Sequence, residues 1–354
     1  MRSQGLKKAL LYYDAQTNDA QLTVSVLRTA AQFGAVVTNY TQVTGFTRAN
    51  GKLNGAVVCD MLTQQEVTVS ARYIINAAGV FAEHVATLTG DEPKATVEPS
   101  KGIHLVVARD RLRISDTAVV LPETEDGRIL YVIPWSARAI IGTTDTGSGD
   151  LDDPQANPED IAYLLKHVND YLEVNLTEED ILSVYAGYRP LVKSRGSHPT
   201  KNLLLAGAIG WRDAKREIEA RGRQIGLTQD IVEHLAFNFG SLTSNILDLI
   251  GEDASLRERL LPELPYVRAE VVYACRGEMA MTLEDVLARR TRIMLEDAER
   301  GAGIAPEVAA LMAPELGWSS DYTQAQVEQY RALVDHQREA EGLRRVQGDS
   351  VVKH

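Results

Sequence analysis

The pattern of apolar residues changes once along the chain, near residue 205, and this change limits the folds that are open to it. Before that point, short apolar runs typical of β-strands alternate with segments that have helical spacing. From about residue 211 onward only helical spacing remains. With 354 residues, the chain is long enough for two domains. The sequence therefore predicts a mixed first domain and an all-helical second domain, with the boundary in residues 202–228.

Both halves allow individual elements to be predicted. In the first half, Asn18 or Asp19 can cap a helix, and Pro158 stands where a first helical turn tolerates proline. The predicted helices of this half are 19–33, 81–88 and 157–172. Its predicted strands are 9–13, 35–38, 43–47, 55–60, 66–71, 73–76, 103–107, 129–133, 139–142 and 182–185. The predicted helices of the second half are 231–239, 241–250, 282–292, 306–316 and 324–341.

Charge and composition argue against several classes of partner and site. The net charge of -12 argues against nucleic acid, because contacts to phosphates need a basic face. Cys59 and Cys275 are far apart and have no metal-ligand or redox spacing, which favours a reducing cytosol. No apolar run approaches the ~20 residues of a membrane-spanning helix. We therefore predict no metal site and no membrane span.

Lys101 and His104 stand at the start of the predicted strand 103–107, in the run Ser100-Lys-Gly-Ile-His104. A histidine can accept or donate a proton near neutral pH, which suits removal of a proton from a hydroxyl group. Gly102 lets the backbone approach a ligand closely. The alternative interpretation is a capped strand start with an exposed lysine.

Two more groups of polar side chains follow predicted strands. Thr143, Thr144 and Asp145 can bind ligand oxygens, and they can equally form a turn. Arg189 directly follows a strand, and Pro190 keeps it extended. A guanidinium group is a natural clamp for a phosphate or carboxylate, although an ordinary surface arginine is the alternative.

Three further segments are open to more than one interpretation. Arg195 and His198 form a second pair of cationic side chains. The small residues at 76–79 would let a flat ring or a pyrophosphate lie against the backbone, and a tight turn is the alternative. The basic cluster at 288–292 can be a solvated face, a salt-bridged seam to the first domain, or a patch against anionic lipid.

Together these segments resemble the FAD-dependent glycerol-3-phosphate dehydrogenase family, over about residues 1–200 and 228–340. The matching motifs of the first half are Leu11-Tyr-Tyr-Asp-Ala-Gln-Thr-Asn-Asp-Ala20, Asn76-Ala-Ala-Gly79, Pro99-Ser-Lys-Gly-Ile-His104, Ile133-Pro-Trp135, Ile141-Gly-Thr-Thr-Asp145 and Ala186-Gly-Tyr-Arg-Pro-Leu191. The matching motifs of the second half are Arg276-Gly-Glu-Met-Ala280 and Leu283-Glu-Asp-Val-Leu-Ala-Arg-Arg-Thr-Arg292. Their length and order make the resemblance specific.

The resemblance implies an α/β (α+β) flavoprotein fold of the FAD/NAD(P)-binding type with an all-helical C-terminal domain. Residues 1–210 would bind FAD and substrate, 228–342 would form the helical domain, and 343–354 would be a polar tail. The implied reaction oxidises sn-glycerol 3-phosphate to dihydroxyacetone phosphate, in glycerol metabolism, with electrons passing through FAD to a quinone. A cytoplasmic location is implied, while peripheral contact with the inner face of the cell membrane and a homodimer are left open.

The resemblance also implies roles for individual residues. The residues that would lie against FAD are Asn76, Ala77, Ala78 and Gly79. The catalytic set would be His104 as the base, with Lys101 and Arg189. Arg189 and Arg195 would hold the substrate phosphate, and Thr143, Thr144 and Asp145 would line the pocket. Trp135 would be a pocket wall or scaffold.

Two departures from the family pattern lead to a further expectation. The family binds the FAD pyrophosphate with a glycine-rich loop between a strand and a helix, and this chain starts after that loop. Residues 196–227 also match poorly. We therefore expect an N-terminally truncated fold that binds FAD weakly or not at all and is inactive alone.

Two alternatives to that enzymatic interpretation are open. One is a non-catalytic remnant, or a subunit of a split protein that needs an upstream fragment. The other is a different flavoprotein of the same superfamily, acting on amines or amino acids. The motifs Ser100-Lys-Gly-Ile-His104 and Arg289-Arg-Thr-Arg292 argue against this last alternative.

Overall fold

The first part of the chain begins with a helix and a small antiparallel sheet. The computed structural model describes residues 8–91, 97–122, 124–125, 127–143, 149–191 and 204–342. Helix α1 (Asp19–Gln32) starts at Asn18, whose side chain accepts a hydrogen bond from the Gln21 backbone. Strands β1 (Thr41–Ala49), β2 (Lys52–Asp60) and β3 (Gln65–Ser70) form the predicted meander. Asn50 and Gly51 both have positive φ, the geometry of a two-residue hairpin turn.

Three of the predicted strands are absent from the described part of the chain. Residues 9–13, 35–38 and 73–76 belong to neither sheet. Most of their apolar side chains are exposed, as Tyr13 shows with 96% of its surface accessible. The strand predictions were wrong here because an extended apolar segment becomes a strand only beside a neighbour that satisfies its backbone hydrogen bonds, and no described strand pairs with these segments.

A five-stranded sheet forms the centre of the first half. Its strands are β4 (Glu98–Ala108), β5 (Val119–Val120), β6 (Tyr131–Trp135), β7 (Arg138–Gly142) and β8 (Ile181–Leu191), in the order β5-β6-β7-β4-β8. All neighbouring strands are antiparallel. Helix α2 (Ala82–Thr87) precedes β4 and the short helix α3 (Arg109–Leu112) follows it. The strands predicted at 103–107, 129–133, 139–142 and 182–185 are confirmed, although β4 and β8 each extend several residues further.

Helix α4 (Pro158–Tyr171) covers one face of this sheet. Asn157 and Asp160 form a capping box at its start, and Pro158 occupies the first turn as predicted. Apolar residues of the helix, such as Leu164 and Val168, share a core with Ile103 and Leu105 of β4. The three helices predicted in the first half are confirmed within one residue at each end.

The second half is helical within the described residues. Its α-helices are α5 (Trp211–Gln224), α6 (Gln229–Phe239), α7 (Thr243–Glu252), α8 (Arg268–Gly277), α9 (Ile293–Glu296), α10 (Ala305–Leu316) and α11 (Ser320–Glu341). Helices α5, α8 and the short α9 were not predicted, and α5 lies in the segment assigned to neither domain. The predicted helix 282–292 is instead a π-helix over Asp285–Arg290, which Thr291 closes by donating to the Val286 carbonyl oxygen at 2.8 Å.

Polar contacts join helix α1 and its flanking residues to the helical half. Gln21 donates to the buried carboxylate of Glu278 at 2.9 Å. Tyr40 donates to Asp285 at 2.7 Å. The two halves are therefore packed through specific side chains and are not connected only by the chain. Over the part of the chain that the structure describes, no helix combines the length and the apolar character that a membrane crossing needs.

Candidate functional site

The second face of the five-stranded sheet, which α4 does not cover, carries the candidate site. Because side chains alternate along a strand, Ser100, Gly102 and His104 of β4 point to this face together. The register places them opposite residues of β8: Ser100 opposite Arg189, Gly102 opposite Gly187 and His104 opposite Tyr185. On the other side of β4, Gly142 of β7 lies opposite His104. The sheet therefore brings the predicted histidine and arginine onto one surface.

His104 is held between an aromatic ring and a glycine. Its imidazole stacks on the Tyr185 ring, with a centroid distance of 4.8 Å and an interplanar angle of 12°. A Cβ atom placed on Gly142 would lie only 2.8 Å from the His104 Nε2 atom, so the ring needs a glycine at that position. Burial lowers the pKa of His104 to about 4, and the nearby Arg189 contributes to the lowering. The imidazole is therefore neutral at physiological pH and can accept a proton.

Arg189 lies across the same face and is fixed by hydroxyl groups. Its guanidinium group donates to Thr143 Oγ1 and, at 3.4 Å, to Ser100 Oγ. A Cβ atom on Gly102 would lie 2.8 Å from the Arg189 Cζ atom, so this glycine also makes room for a functional side chain. Thr143, which directly follows β7 and was predicted to line the pocket, is thus a neighbour of Arg189.

Lys101 lies on the opposite face of the sheet from His104. Its ammonium group contacts Asp160 at 2.9 Å and the Gln155 carbonyl oxygen at 3.2 Å, and both charged side chains are largely buried. Asp160 belongs to the capping box of α4. The predicted grouping of Lys101 with His104 does not occur, because β4 starts at Glu98 and adjacent residues of a strand point to opposite faces. Lys101 joins α4 to the sheet.

Three of the predicted site residues lie outside the described residues: Thr144, Asp145 and Arg195. Two other histidines in the described part have little solvent exposure, and both contact protein side chains. His167 packs against Tyr163, and His234 lies 2.9 Å from Glu270. No group of His, Cys, Asp or Glu in the described segments has an arrangement suited to a metal ion.

The turn at 76–79 is exposed and lies beside the site. The Asn76 side chain accepts from the Ala78 backbone at 3.1 Å and donates to the Ala82 carbonyl oxygen at 2.8 Å, so it shapes the turn itself. Gly79 has a φ of +57°, and no atom lies within 4 Å of its Cβ position. The following turn Gly79–Phe81 packs against β8. Small residues and an open surface make this turn a place where a flat ring can lie.

The helical half reaches the edge of the same face. The Arg292 guanidinium group lies 4.1 Å from the centre of the Trp135 ring. Ser183 of β8 donates to the Leu295 carbonyl oxygen at 2.7 Å, and Arg138 of β7 donates to the Glu296 carbonyl oxygen. Of the interpretations given for the cluster at 288–292, Arg292 supports the seam to the first half, to which it contributes a cation–π contact with Trp135.

Four residues that shape the site were not among the predicted site residues: Tyr185, Gly142, Ser100 and Arg292. All four stand within or beside motifs that were recognised. Their contributions depend on which residues face each other across strands, which a single sequence does not specify.

Comparisons with known proteins agree with the mixed first half and the helical second half. Residues 1–213 match a family model described as FAD dependent oxidoreductase. Residues 198–323 match a model described as the C-terminal domain of alpha-glycerophosphate oxidase. The two models overlap over residues 198–213, after strand β8 and up to the first turn of helix α5.

Named relatives are similar along nearly the whole chain. "Glycerol-3-phosphate dehydrogenase 2" of Mycobacterium tuberculosis is 35% identical over 405 aligned residues, covering 99% of this chain and 68% of the relative. A "Probable glycerol-3-phosphate dehydrogenase, mitochondrial" of Caenorhabditis elegans is 30% identical, covering 95% of this chain and 54% of the relative. The alignment with the mycobacterial protein is longer than the 354-residue chain, so that relative has residues inside the matched span that this chain lacks.

A solved structure also matches. The X-ray structure of the glycerol-3-phosphate dehydrogenase from Bacillus halodurans, complexed with FAD, superimposes with a TM-score of 0.80 at 25% identity. The match covers 95% of this chain and 75% of that one. Both the mixed half and the helical half thus have counterparts in a known flavoprotein.

Proposed function

The chain belongs to the FAD-dependent glycerol-3-phosphate dehydrogenase family, and from that premise we propose that it oxidises sn-glycerol 3-phosphate to dihydroxyacetone phosphate. The observation that carries the proposal is one sheet face on which a neutral, partly buried His104 and the guanidinium group of Arg189 lie side by side. One group can accept a proton, and the other can hold an anion. Oxidation of a phosphorylated alcohol needs both.

His104 is the proposed base for the secondary hydroxyl group of the substrate. The alcohol must lose its O–H proton as its carbon becomes a carbonyl carbon, and a neutral imidazole can take that proton. Stacking on Tyr185 and contact with Gly142 keep the ring in one orientation. When bound, FAD supplies the acceptor for the hydrogen and the two electrons that leave the substrate carbon.

Arg189 is the proposed anchor for the substrate phosphate. Its hydrogen bonds to Thr143 and Ser100 hold the guanidinium group in place before a ligand arrives. A phosphate bound there would also offset the positive charge that lowers the pKa of His104. Substrate binding would therefore raise the proton affinity of the base at the moment when it is needed. We propose that Arg195, Thr144 and Asp145 contribute to the same pocket.

The described residues fit the ring part of FAD. The open turn at 76–79 has small side chains, lies next to β8, and would hold the flat part of the cofactor. Lys101 has no proposed contact with substrate, because it is paired with Asp160 on the other face. Its proposed role is to keep β4 and α4 together, so that His104 has a rigid support.

The test is a titration of the purified chain with FAD, followed by addition of glycerol 3-phosphate. Where FAD binds, either to the chain alone or after an upstream segment is supplied, the visible flavin band should bleach with glycerol 3-phosphate but not with glycerol, which lacks the phosphate. A soluble quinone should restore the band if a quinone is the electron acceptor, as we propose from the family. A flavin-loaded chain that glycerol 3-phosphate leaves oxidised would contradict the proposal.

A second candidate function is that of a substrate-binding part which a nucleotide-binding segment completes. The apolar segments at 9–13, 35–38 and 73–76 favour it, because they are exposed and extended and have no strand partner among the described residues. In that case the chain alone would stay colourless with FAD but would still bind glycerol 3-phosphate in a calorimetric titration. Adding a glycine-rich strand–helix segment of the kind that the family uses to bind the FAD pyrophosphate should then give flavin binding. A chain that binds neither ligand would be the non-catalytic remnant.

Peripheral membrane contact and a homodimer remain parts of the proposal. Sedimentation with vesicles of anionic lipid tests the first, and the mass measured by light scattering tests the second. Failure of either would leave the chemistry at His104 and Arg189 untouched.

A further inference from the structure

The His104 ring is oriented by packing. Within the described segments it makes contact with Tyr185 on one side and needs Gly142 on the other, and no hydrogen bond to either ring nitrogen is present. An imidazole that must accept a proton from substrate benefits from such a setting, because neither nitrogen is committed to a protein donor or acceptor. Its orientation then depends on whatever supports the plane of the ring.

Tyr185 provides that support and takes no part in proton transfer itself. Its ring lies nearly parallel to the imidazole, and the register of β4 and β8 fixes the two residues directly opposite each other. Burial raises the pKa of the Tyr185 phenol well above its ordinary value, so the phenol stays protonated at any working pH. Tyr185 also stands four residues before Arg189 on the same face of β8. A single strand therefore sets the distance between the residue that supports His104 and the residue proposed to bind the phosphate.

We propose that Tyr185 is a positioning residue for His104, whose ring fixes the imidazole plane and keeps water away from it. This inference rests on the proposed function, because it assigns to Tyr185 the support of the proposed base. The aromatic face is what matters, and the hydroxyl group is dispensable for the effect. Phenylalanine should therefore replace Tyr185, whereas a small side chain should not.

Charged groups from three elements face this stack and define its electrostatics. Arg189 of β8 lowers the pKa of His104, and Asp19 at the start of α1 acts in the opposite direction. Asp19 also raises the pKa of Tyr185, while Arg292 from the helical half lowers it. None of these groups is removed when Tyr185 is changed, so a substitution there isolates the effect of the ring itself.

The experiment is an NMR titration of the His104 Cε1 proton in the full chain and in Tyr185→Phe and Tyr185→Ala. The wild-type value should lie near the pKa of about 4 given by the structure. Tyr185→Phe should leave the midpoint within about 0.3 pH unit, and Tyr185→Ala should raise it by about 1 unit or more, because water reaches the ring. In the flavin-loaded chain, Tyr185→Ala should lower kcat about tenfold to a hundredfold with little change in KM.

Tyr163→Ala is the matched control, because Tyr163 packs edge-on against His167 at 4.4 Å on the α4 side of the sheet. It removes an aromatic ring beside a different histidine and should leave the His104 midpoint unchanged. If Tyr185→Ala does not fold, Tyr185→Leu replaces it, with the same direction of shift expected. An unchanged His104 midpoint in the small-side-chain variants would overturn the proposal, and so would equal shifts in Tyr185→Phe and Tyr185→Ala.

The NMR readout also separates this inference from the proposed function. A chain that shows the His104 shift but never oxidises glycerol 3-phosphate would retain the packing role of Tyr185 and contradict the proposed reaction. A chain that oxidises glycerol 3-phosphate equally well with alanine at position 185 would retain the reaction and overturn the positioning role.

Discussion

The two faces of the five-stranded sheet use the same strand for opposite purposes. On the α4 side, β4 contributes Ile103 and Leu105 to a closed apolar core, and even the charged Lys101 is paired and buried. On the other side, β4 contributes Ser100, Gly102 and His104 to a surface where glycines leave room for large polar side chains. The α4 face is therefore specified by packing, whereas the other face is specified by the spaces that glycines keep open.

The largest expected effect comes from removing the base on the open face. His104→Asn should lower kcat/KM of the flavin-loaded chain about a thousandfold, since general base catalysis contributes 10²–10⁴-fold. Its free energy of unfolding should change little. His167→Asn is the control on the α4 face, where the ring is buried against Tyr163, and it should lower stability while leaving kcat unchanged. A loss of activity in His167→Asn together with a loss of stability but not of activity in His104→Asn would contradict the placement of the active site on the open face.

The next largest effect should appear on the α4 face, as a loss of stability. Lys101→Met removes one partner of a largely buried ion pair and should lower the free energy of unfolding by about 3 kcal/mol. Denaturant titration measures this, and kcat per folded molecule should not change. The double variant Lys101→Met with Asp160→Leu should recover much of the loss, because no uncompensated charge remains. If Lys101→Met lowered substrate affinity without lowering stability, the lysine would have to be assigned to the active site.

A smaller effect is expected at the phosphate anchor. Arg189→Lys keeps the charge but loses the planar fork that Thr143 and Ser100 hold in place. We expect KM for glycerol 3-phosphate to rise about tenfold to a hundredfold, which corresponds to about 1.4–2.7 kcal/mol. Glycerol, which lacks the phosphate, should fail to reduce the flavin in both the wild type and the variant. A KM for glycerol 3-phosphate that Arg189→Lys leaves unchanged would mean that the arginine does not recognise the phosphate.

The smallest effect is a pH dependence of stability from His104. Its pKa is about 4 in the folded chain and near the ordinary 6.5 in the unfolded chain, so the unfolded state binds the extra proton as the pH falls. Stability should therefore decrease below pH 6.5 and stop decreasing, for this group, below about pH 4. Between pH 7 and pH 5.5 the loss should be about 1 kcal/mol. The difference between the wild type and His104→Asn isolates this contribution, and parallel curves for the two proteins would contradict the lowered pKa.

The sequence was sufficient for elements whose stabilising contacts are local. Helix α4 was predicted from Asn157 and Pro158, because capping depends on neighbours within one turn. The family motifs also singled out His104 and Arg189, which the strand register places on one face of the sheet, and their roles stay a prediction. The sequence was insufficient where a distant partner decides the outcome. The exposed segment 73–76 has the composition of a buried strand, yet no described strand pairs with it.

The misplacement of Lys101 has a similar physical origin. The strand was predicted to begin at residue 103, so Lys101 was placed just before the strand and grouped with His104. In the structure β4 begins at Glu98, and alternation along the strand then places Lys101 and His104 on opposite faces. The pairing of His104 with Tyr185 could not be predicted from the sequence for another reason. It depends on the register between strands that are some eighty residues apart.

The contacts of Arg292, Leu295 and Glu296 with the sheet have a consequence for how the chain can be divided. The sequence predicts two domains. Yet β8, the strand that carries Tyr185 and Arg189, donates through its Ser183 side chain to the Leu295 carbonyl oxygen, 112 residues further along the chain. We therefore expect the first half alone to lack contacts that support the candidate face of the sheet, because the last third of the chain supplies them.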